Sequence, residues 1–133
     1  MDSSSPPDTA PPDTAPADDP RLSLRLHFDQ GLTFGRGKAD LLEAIARTGS
    51  ISAAGRSMAM SYRRAWALVE EMNRHFQTPL VESSRGGPGG GGAGLTELGQ
   101  RILSEYRALE QIIRAAPQLE AIKAALSDVS ARK

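Results

Sequence analysis

Apolar and polar residues alternate strictly near the start of the chain. Leu22, Leu24, Leu26 and Phe28 fall on one face, and Ser23, Arg25 and His27 on the other. That period of two predicts a half-buried strand ended by Asp29-Gln-Gly31, with His27 on its solvent face. The period then changes. Leu41, Leu42 and Ile45 predict a helix over 38–48, with Gly49 placed for a left-handed C-terminal cap. Ser50 caps a short helix over 51–58 that turns Ile51, Ala54 and Met58 inward, and Ala59-Met60 forms a turn. Ser61 caps a third helix over 62–77. Its stripe is Ala65, Val69, Met72 and Phe76, with Tyr62, Trp66 and Asn73 along the margin. The opposite side carries Arg63, Arg64, Ala67, Glu71 and Arg74, with His75 late on the solvated face.

Pro79 forbids continuation of that helix, Leu80 to Ser84 read as a short strand, and residues 85–94 read as a glycine loop. Thr96 caps a helix over 97–115 whose stripe is Leu98, Ile102, Tyr106, Leu109 and Ile113. Pro117 interrupts it. Leu119, Ile122 and Leu126 then predict one more short amphipathic helix before Arg132 and Lys133. The expected organisation is a tail over 1–20, one domain over 21–115, and a short helix and tail over 116–133.

Residues 1–20 are mostly Pro, Asp, Ser, Thr and Ala, and Pro-Pro-Asp-Thr-Ala occurs twice, at 6–10 and 11–15. Such a stretch cannot bury enough apolar surface to offset an ordering entropy of roughly 1–2 kcal/mol per residue, which predicts a disordered tail. It also hides the charge of the rest. The whole chain has 16 basic and 16 acidic residues, but 1–20 hold five acids and no base, leaving 21–133 with a net +5. A basic body suits an anionic partner.

The remaining composition excludes more than it assigns. There is no cysteine, and the two histidines, His27 and His75, are far apart, so neither a metal centre nor a cofactor is expected. No run of eighteen apolar residues is present, and Met-Asp-Ser-Ser-Ser lacks the features of a secretory leader, so the expected compartment is the cytoplasm. Ser50, Ser61 and Thr96 read as helix caps without the base that a nucleophile needs, so no enzyme is expected. Gly87, Gly89 and Gly92 match the dinucleotide-binding spacing. However, no parallel strand follows, and Glu110 lies inside a helix instead of after a second strand.

Three helices with a tight turn before the third, then strand, loop and strand, predict a mainly α fold with a small β-wing: a winged helix-turn-helix with a long C-terminal helix. The second helix props the third so that its first turn points into the major groove, where Arg63 and Arg64 stand outward. Glu70 and Glu71 would repel phosphate farther along, so the N-terminal half of that helix is the part that approaches DNA.

The run from Gly31 to Leu109, about 80 of 133 residues, resembles the N-terminal DNA-binding domain of the molybdate-responsive ModE regulators. The matching residues are Gly49-Ser-Ile-Ser-Ala-Ala54, Met60-Ser-Tyr-Arg-Arg-Ala-Trp66, Pro79-Leu-Val-Glu82, Gly86-Gly, Gly89-Gly-Gly-Gly-Ala93, Leu95-Thr and Gly99. LysR-type regulators are similar at greater distance. The resemblance implies a homodimer on double-stranded DNA with a palindromic operator. The DNA-facing set is then Ser50, Ser52, Ser61, Tyr62, Arg63, Arg64 and Ala67, with Arg85, Gly86 and Gly87 of the wing, and the dimer seam is Leu98, Ile102, Tyr106, Leu109 and Ile113. Two residues depart from the pattern. Gly55 stands where alanine is usual, and Ala59 stands where the turn usually has glycine. The chain also ends about 20 residues after the fourth helix, so the expectation is DNA binding without molybdate sensing. The alternative expectation is an interaction or dimerisation module that keeps the fold without reading DNA.

Overall fold

The computed structural model describes residues 22–84 and 92–127. The tail over 1–20 and the wing positions Arg85, Gly86 and Gly87 lie outside the described residues. The elements run β1 (Leu26–His27), β2 (Thr33–Phe34), α1 (Arg36–Thr48), α2 (Ile51–Ser57), α3 (Tyr62–His75), β3 (Val81–Ser84), β4 (Gly92–Leu95), α4 (Glu97–Arg114) and α5 (Pro117–Ala125). Together they form a winged helix-turn-helix, with α2 and α3 as the helical pair and β3–β4 as the wing.

Only the middle of the alternating stretch is paired. β1 meets β2 in an antiparallel ribbon, Leu26 opposite Phe34. The chain reverses at Phe28–Gly31, where Gly31 takes a positive φ of 90° and its amide bonds Phe28 O. Leu24 and Leu26 reach the core as expected, but Phe28 sits in the turn and is 45% exposed. The sequence pattern missed β2 because two residues are too few to show a period.

The core is continuous. Leu41, Leu42 and Ile45 of α1, Ile51 and Ala54 of α2, Ala65, Val69 and Met72 of α3, and Leu80 and Val81 all bury their side chains in it. Each of these helices keeps its apolar residues on one face because they recur at 3.6-residue spacing. The caps fall where the sequence places them. Ser50 accepts from the Ala53 amide, Ser61 from Arg64 and Thr96 from Gly99, each at 3.0 Å. Gly49 is left-handed, at φ 74°.

Asn73 ties α3 to the wing. Its Oδ1 accepts from the amides of Leu80 (2.8 Å) and Val81 (3.1 Å), and its Nδ2 donates to Val81 O (3.0 Å). One side chain thus stands in for a missing neighbouring strand. The wing's second strand is anchored to the turn between α1 and α2, because the Ala93 amide donates to Gly49 O at 2.8 Å. Residues 92–94, read from sequence as loop, are strand for this reason. Val81 faces Leu95 and Ser83 faces Ala93 in the antiparallel register.

The turn between α2 and α3 keeps helix-turn-helix geometry without its usual glycine. Met60 N bonds Gly55 O and Ala59 N bonds Arg56 O, the paired bonds of a Schellman ending. Ala59 occupies the left-handed position at φ 57°. An L-residue there costs roughly 1–2 kcal/mol, of which glycine would return part through a larger unfolded-state entropy. Ala59→Gly is therefore expected to raise stability by about 0.5–1 kcal/mol in a denaturant titration, since Ala59 is exposed and loses no packing. Gly55 has a packing reason. A Cβ there would stand 3.0 Å from Ala65 Cβ, so glycine lets α2 and α3 approach closely, and the helix propensity lost at Gly55 is offset by that contact.

α4 is locked to α1 and to the segment before β1. Arg107 donates to Asp40 Oδ1 and Glu43 Oε1, both at 2.7 Å, and pairs with the buried Glu110 at 3.3 Å. Burial alone would lower the Arg107 pKa. Its hydrogen bonds to Asp40, Glu43 and Glu110 outweigh burial and hold it above its ordinary value. Tyr106 packs edge-on against Phe34 and donates its hydroxyl to Leu24 O. Burial first, then the charge of Glu110, raises its pKa above 10.0. A raised folded-state pKa favours the native state below the unfolded value, and that contribution is lost as pH rises through the folded pKa. Tyr106→Phe should cost about 0.5–1.5 kcal/mol at neutral pH for the lost bond. It should also remove the tyrosine-linked part of the fall in stability above about pH 10, which denaturant midpoints on either side of that pH would show.

Candidate nucleic-acid interface

α3 presents the candidate interface. Its first turn is capped by Ser61, and Tyr62, Arg63, Arg64 and Ala67 all face solvent. Neither Arg63 nor Arg64 has an ion-pair partner among the described residues, whereas Arg107 has three carboxylates around it. Ala65, Val69 and Met72 on the opposite face are fully packed, so the helix cannot rotate to hide the arginines.

Ser50, Ser52 and Tyr62 come together. With Ile51, Trp66, Ser83, Gly92 and Ala93 they line an open groove of about 220 Å³ between the starts of α2 and α3 and the wing. Tyr62 is 59% exposed and meets Trp66 edge-on, 6.2 Å between ring centroids. Ser52 also accepts from Arg56 Nη1 at 2.9 Å, which holds a further exposed base beside the site. Sequence reasoning missed Ser83, Ala93 and Arg56. Ser83 and Ala93 join the site only through the β3–β4 register, and that register was hidden inside a run read as glycine loop. Arg56 had an i, i+4 relation to Ser52 as a signal.

Two residues on α3 behave differently from expectation. Glu71 is half-buried and pairs with Lys38 at 3.3 Å, because α1 lies beside that part of α3. Its charge is thus partly spent within the fold, and exposed Glu70 remains as the acid facing outward. His75 is half-buried, not solvated, with Nδ1 2.9 Å from Glu71 O.

The expected seam divides in the same way. Tyr106 is 3% exposed and belongs to the chain's own core, and Leu98 and Ile102 also pack against that core. Leu109 and Ile113 remain half-buried. In this part of the chain the large apolar side chains left in solvent are Ile112 (66%), Ile122 (60%) and Leu126 (68%). Ile112 was missed because it is one position off the stripe that continues the core.

Among the described residues no group of three or more His, Asp or Glu is suited to hold a metal ion, and no helix is long and apolar enough to cross a membrane.

Comparison with known proteins agrees with this geometry. Residues 38–100 match the family described as bacterial regulatory helix-turn-helix protein, lysR family. The chain is 45% identical over 80 residues to the molybdenum-pterin-binding protein MopB of Rhodobacter capsulatus, covering 60% of this chain and 30% of that one. It is 42% identical over 87 residues to the molybdenum transport protein ModE of Azotobacter vinelandii, covering 65% and 32%. It is 43% identical over 89 residues to the DNA-binding transcriptional dual regulator ModE of Escherichia coli K12, covering 67% and 34%. The region is thus ModE-like as well, while the chain spans about a third of the length of the curated relatives it matches.

Proposed function

We propose that this chain binds double-stranded DNA through α3 and regulates transcription, as a homodimer on a palindromic operator. The observation that carries the reading is the pair of exposed guanidinium groups of Arg63 and Arg64, without an ion-pair partner among the described residues and presented on the first turn of a helix whose other face is fixed in the core. Similarity to the Escherichia coli relative, a DNA-binding transcriptional dual regulator, supports it. Arginine forks match guanine edges and phosphates equally well. In this reading Arg63, nearer the helix start, reads a base and Arg64 holds a phosphate.

The exposed apolar side chains of Ile112, Ile122 and Leu126 support the dimer. Ile112→Glu leaves the core untouched and should shift the chain from dimer to monomer in sedimentation at micromolar concentration. A stable wild-type monomer would remove the dimer from the reading. Selection of bound duplexes from random sequence tests the DNA reading. Enrichment of an inverted repeat, with half-sites about one helical turn apart, is expected. Failure to enrich any sequence would favour the interaction-module alternative, with the α4–α5 face as its surface.

A further inference from the structure

The groove at the foot of α3 holds more hydrogen-bond donors than the fold itself uses. The Ser50 hydroxyl oxygen accepts from the Ala53 amide and that of Ser52 accepts from Arg56 Nη1, so both serve the fold as acceptors. The Ser83 hydroxyl has no partner among the described residues, and Trp66 Nε1–H is a buried side-chain donor with none. Folded proteins seldom leave such a donor unsatisfied, and each exception calls for a cause. Trp66 and Ser83 line the same groove, no carboxylate among the described residues lines it, and only Gly92 and Ala93 form its β4 wall. Donors without acceptor acids suit a phosphate oxygen, which accepts and cannot donate. Small residues on one wall let a bulky backbone come close. The groove is half-open to solvent, so a ligand outside the chain can reach it.

We infer that this groove seats one backbone phosphate of duplex DNA, with the Trp66 indole N–H and the Ser83 hydroxyl donating to its oxygens. The inference rests on the DNA-binding reading above. A helix lying in the major groove brings the flanking sugar-phosphate backbone against its first turns, and that contact sets orientation without reading sequence. Tyr62 is held beside Trp66 only by an edge contact and is largely exposed, so it can turn aside to admit the phosphate.

Trp66 is the only tryptophan, so its emission reports the event directly. Adding duplex should quench or shift it, while inorganic phosphate at matched ionic strength should not. A shift with phosphate as large as that with duplex would assign the groove to a free anion and overturn the inference. Trp66→Phe removes the orphaned donor and keeps an aromatic ring, so the variant should melt no earlier than wild type. It should nevertheless bind roughly tenfold more weakly to a selected duplex and to a scrambled one alike. The salt dependence should keep its slope, because no cation is lost. Ser83→Glu changes an exposed strand position and should weaken both duplexes further. Wild-type affinity in either folded variant would overturn the inference while leaving the DNA reading intact. A folded wild-type chain that binds no duplex would remove both.

Discussion

Gly99→Ala is expected to cost the chain much of its stability. α4 starts directly against β3. The Thr96 amide donates to Leu80 O at 2.9 Å, the Thr96 hydroxyl donates to Pro79 O at 2.7 Å, and Gly99 lies one turn inside. A Cβ on Gly99 would overlap the Leu80 carbonyl oxygen, with the carbonyl carbon at 3.0 Å and Cα at 3.2 Å. Both sides of that contact are backbone, so no rotamer change relieves it. Overpacking usually costs about 1–3 kcal/mol, and a backbone-on-backbone clash belongs at or beyond the upper end. For a domain of this size that lowers Tm by about 10 °C or more. Gly37→Ala is the matched control. It lies in α1 with open space around it and should gain about 0.5–1 kcal/mol. Thermal unfolding followed by circular dichroism measures both.

The second large effect falls on binding. Arg63→Ala should cost about 1–3 kcal/mol per half-site on a selected operator and relax preference at one base position. Arg64→Ala should weaken selected and scrambled duplexes alike and flatten the salt dependence by about one unit of slope per half-site. Both side chains are exposed, so neither change should alter folding. Arg74, three turns along α3 and past Glu70, should matter little. Titration of each variant against both duplexes at two salt concentrations separates the two roles.

The helical part of this fold was legible in the sequence for a physical reason. α1 to α5 each carry a stripe at helical spacing or a cap, and Ser50, Ser61 and Thr96 mark three starts to within a residue. Arg63 and Arg64 were legible too, because their outward position follows from the inward one of Ala65 and Val69. What stayed hidden depends on contacts distant in sequence. Tyr106 reads as one member of an apolar stripe, and only its bond to Leu24 O, 82 positions away, makes it core. Asn73 reads as a margin residue, and its three bonds to Leu80 and Val81 appear only once the wing is folded. Gly55 looks like a weak spot until Ala65 is placed against it. Ser83 and Ala93 become site residues through strand register, which no local pattern encodes.

Amide chemical-shift mapping of the whole chain with a selected duplex is the most direct test of DNA reading by α3. The expected perturbations concentrate at Ser50 to Ser52, Ser61 to Ala67 and Ser83, with the amides of α5 little changed. Perturbations confined to α4 and α5, or none on adding duplex, would contradict DNA reading by α3.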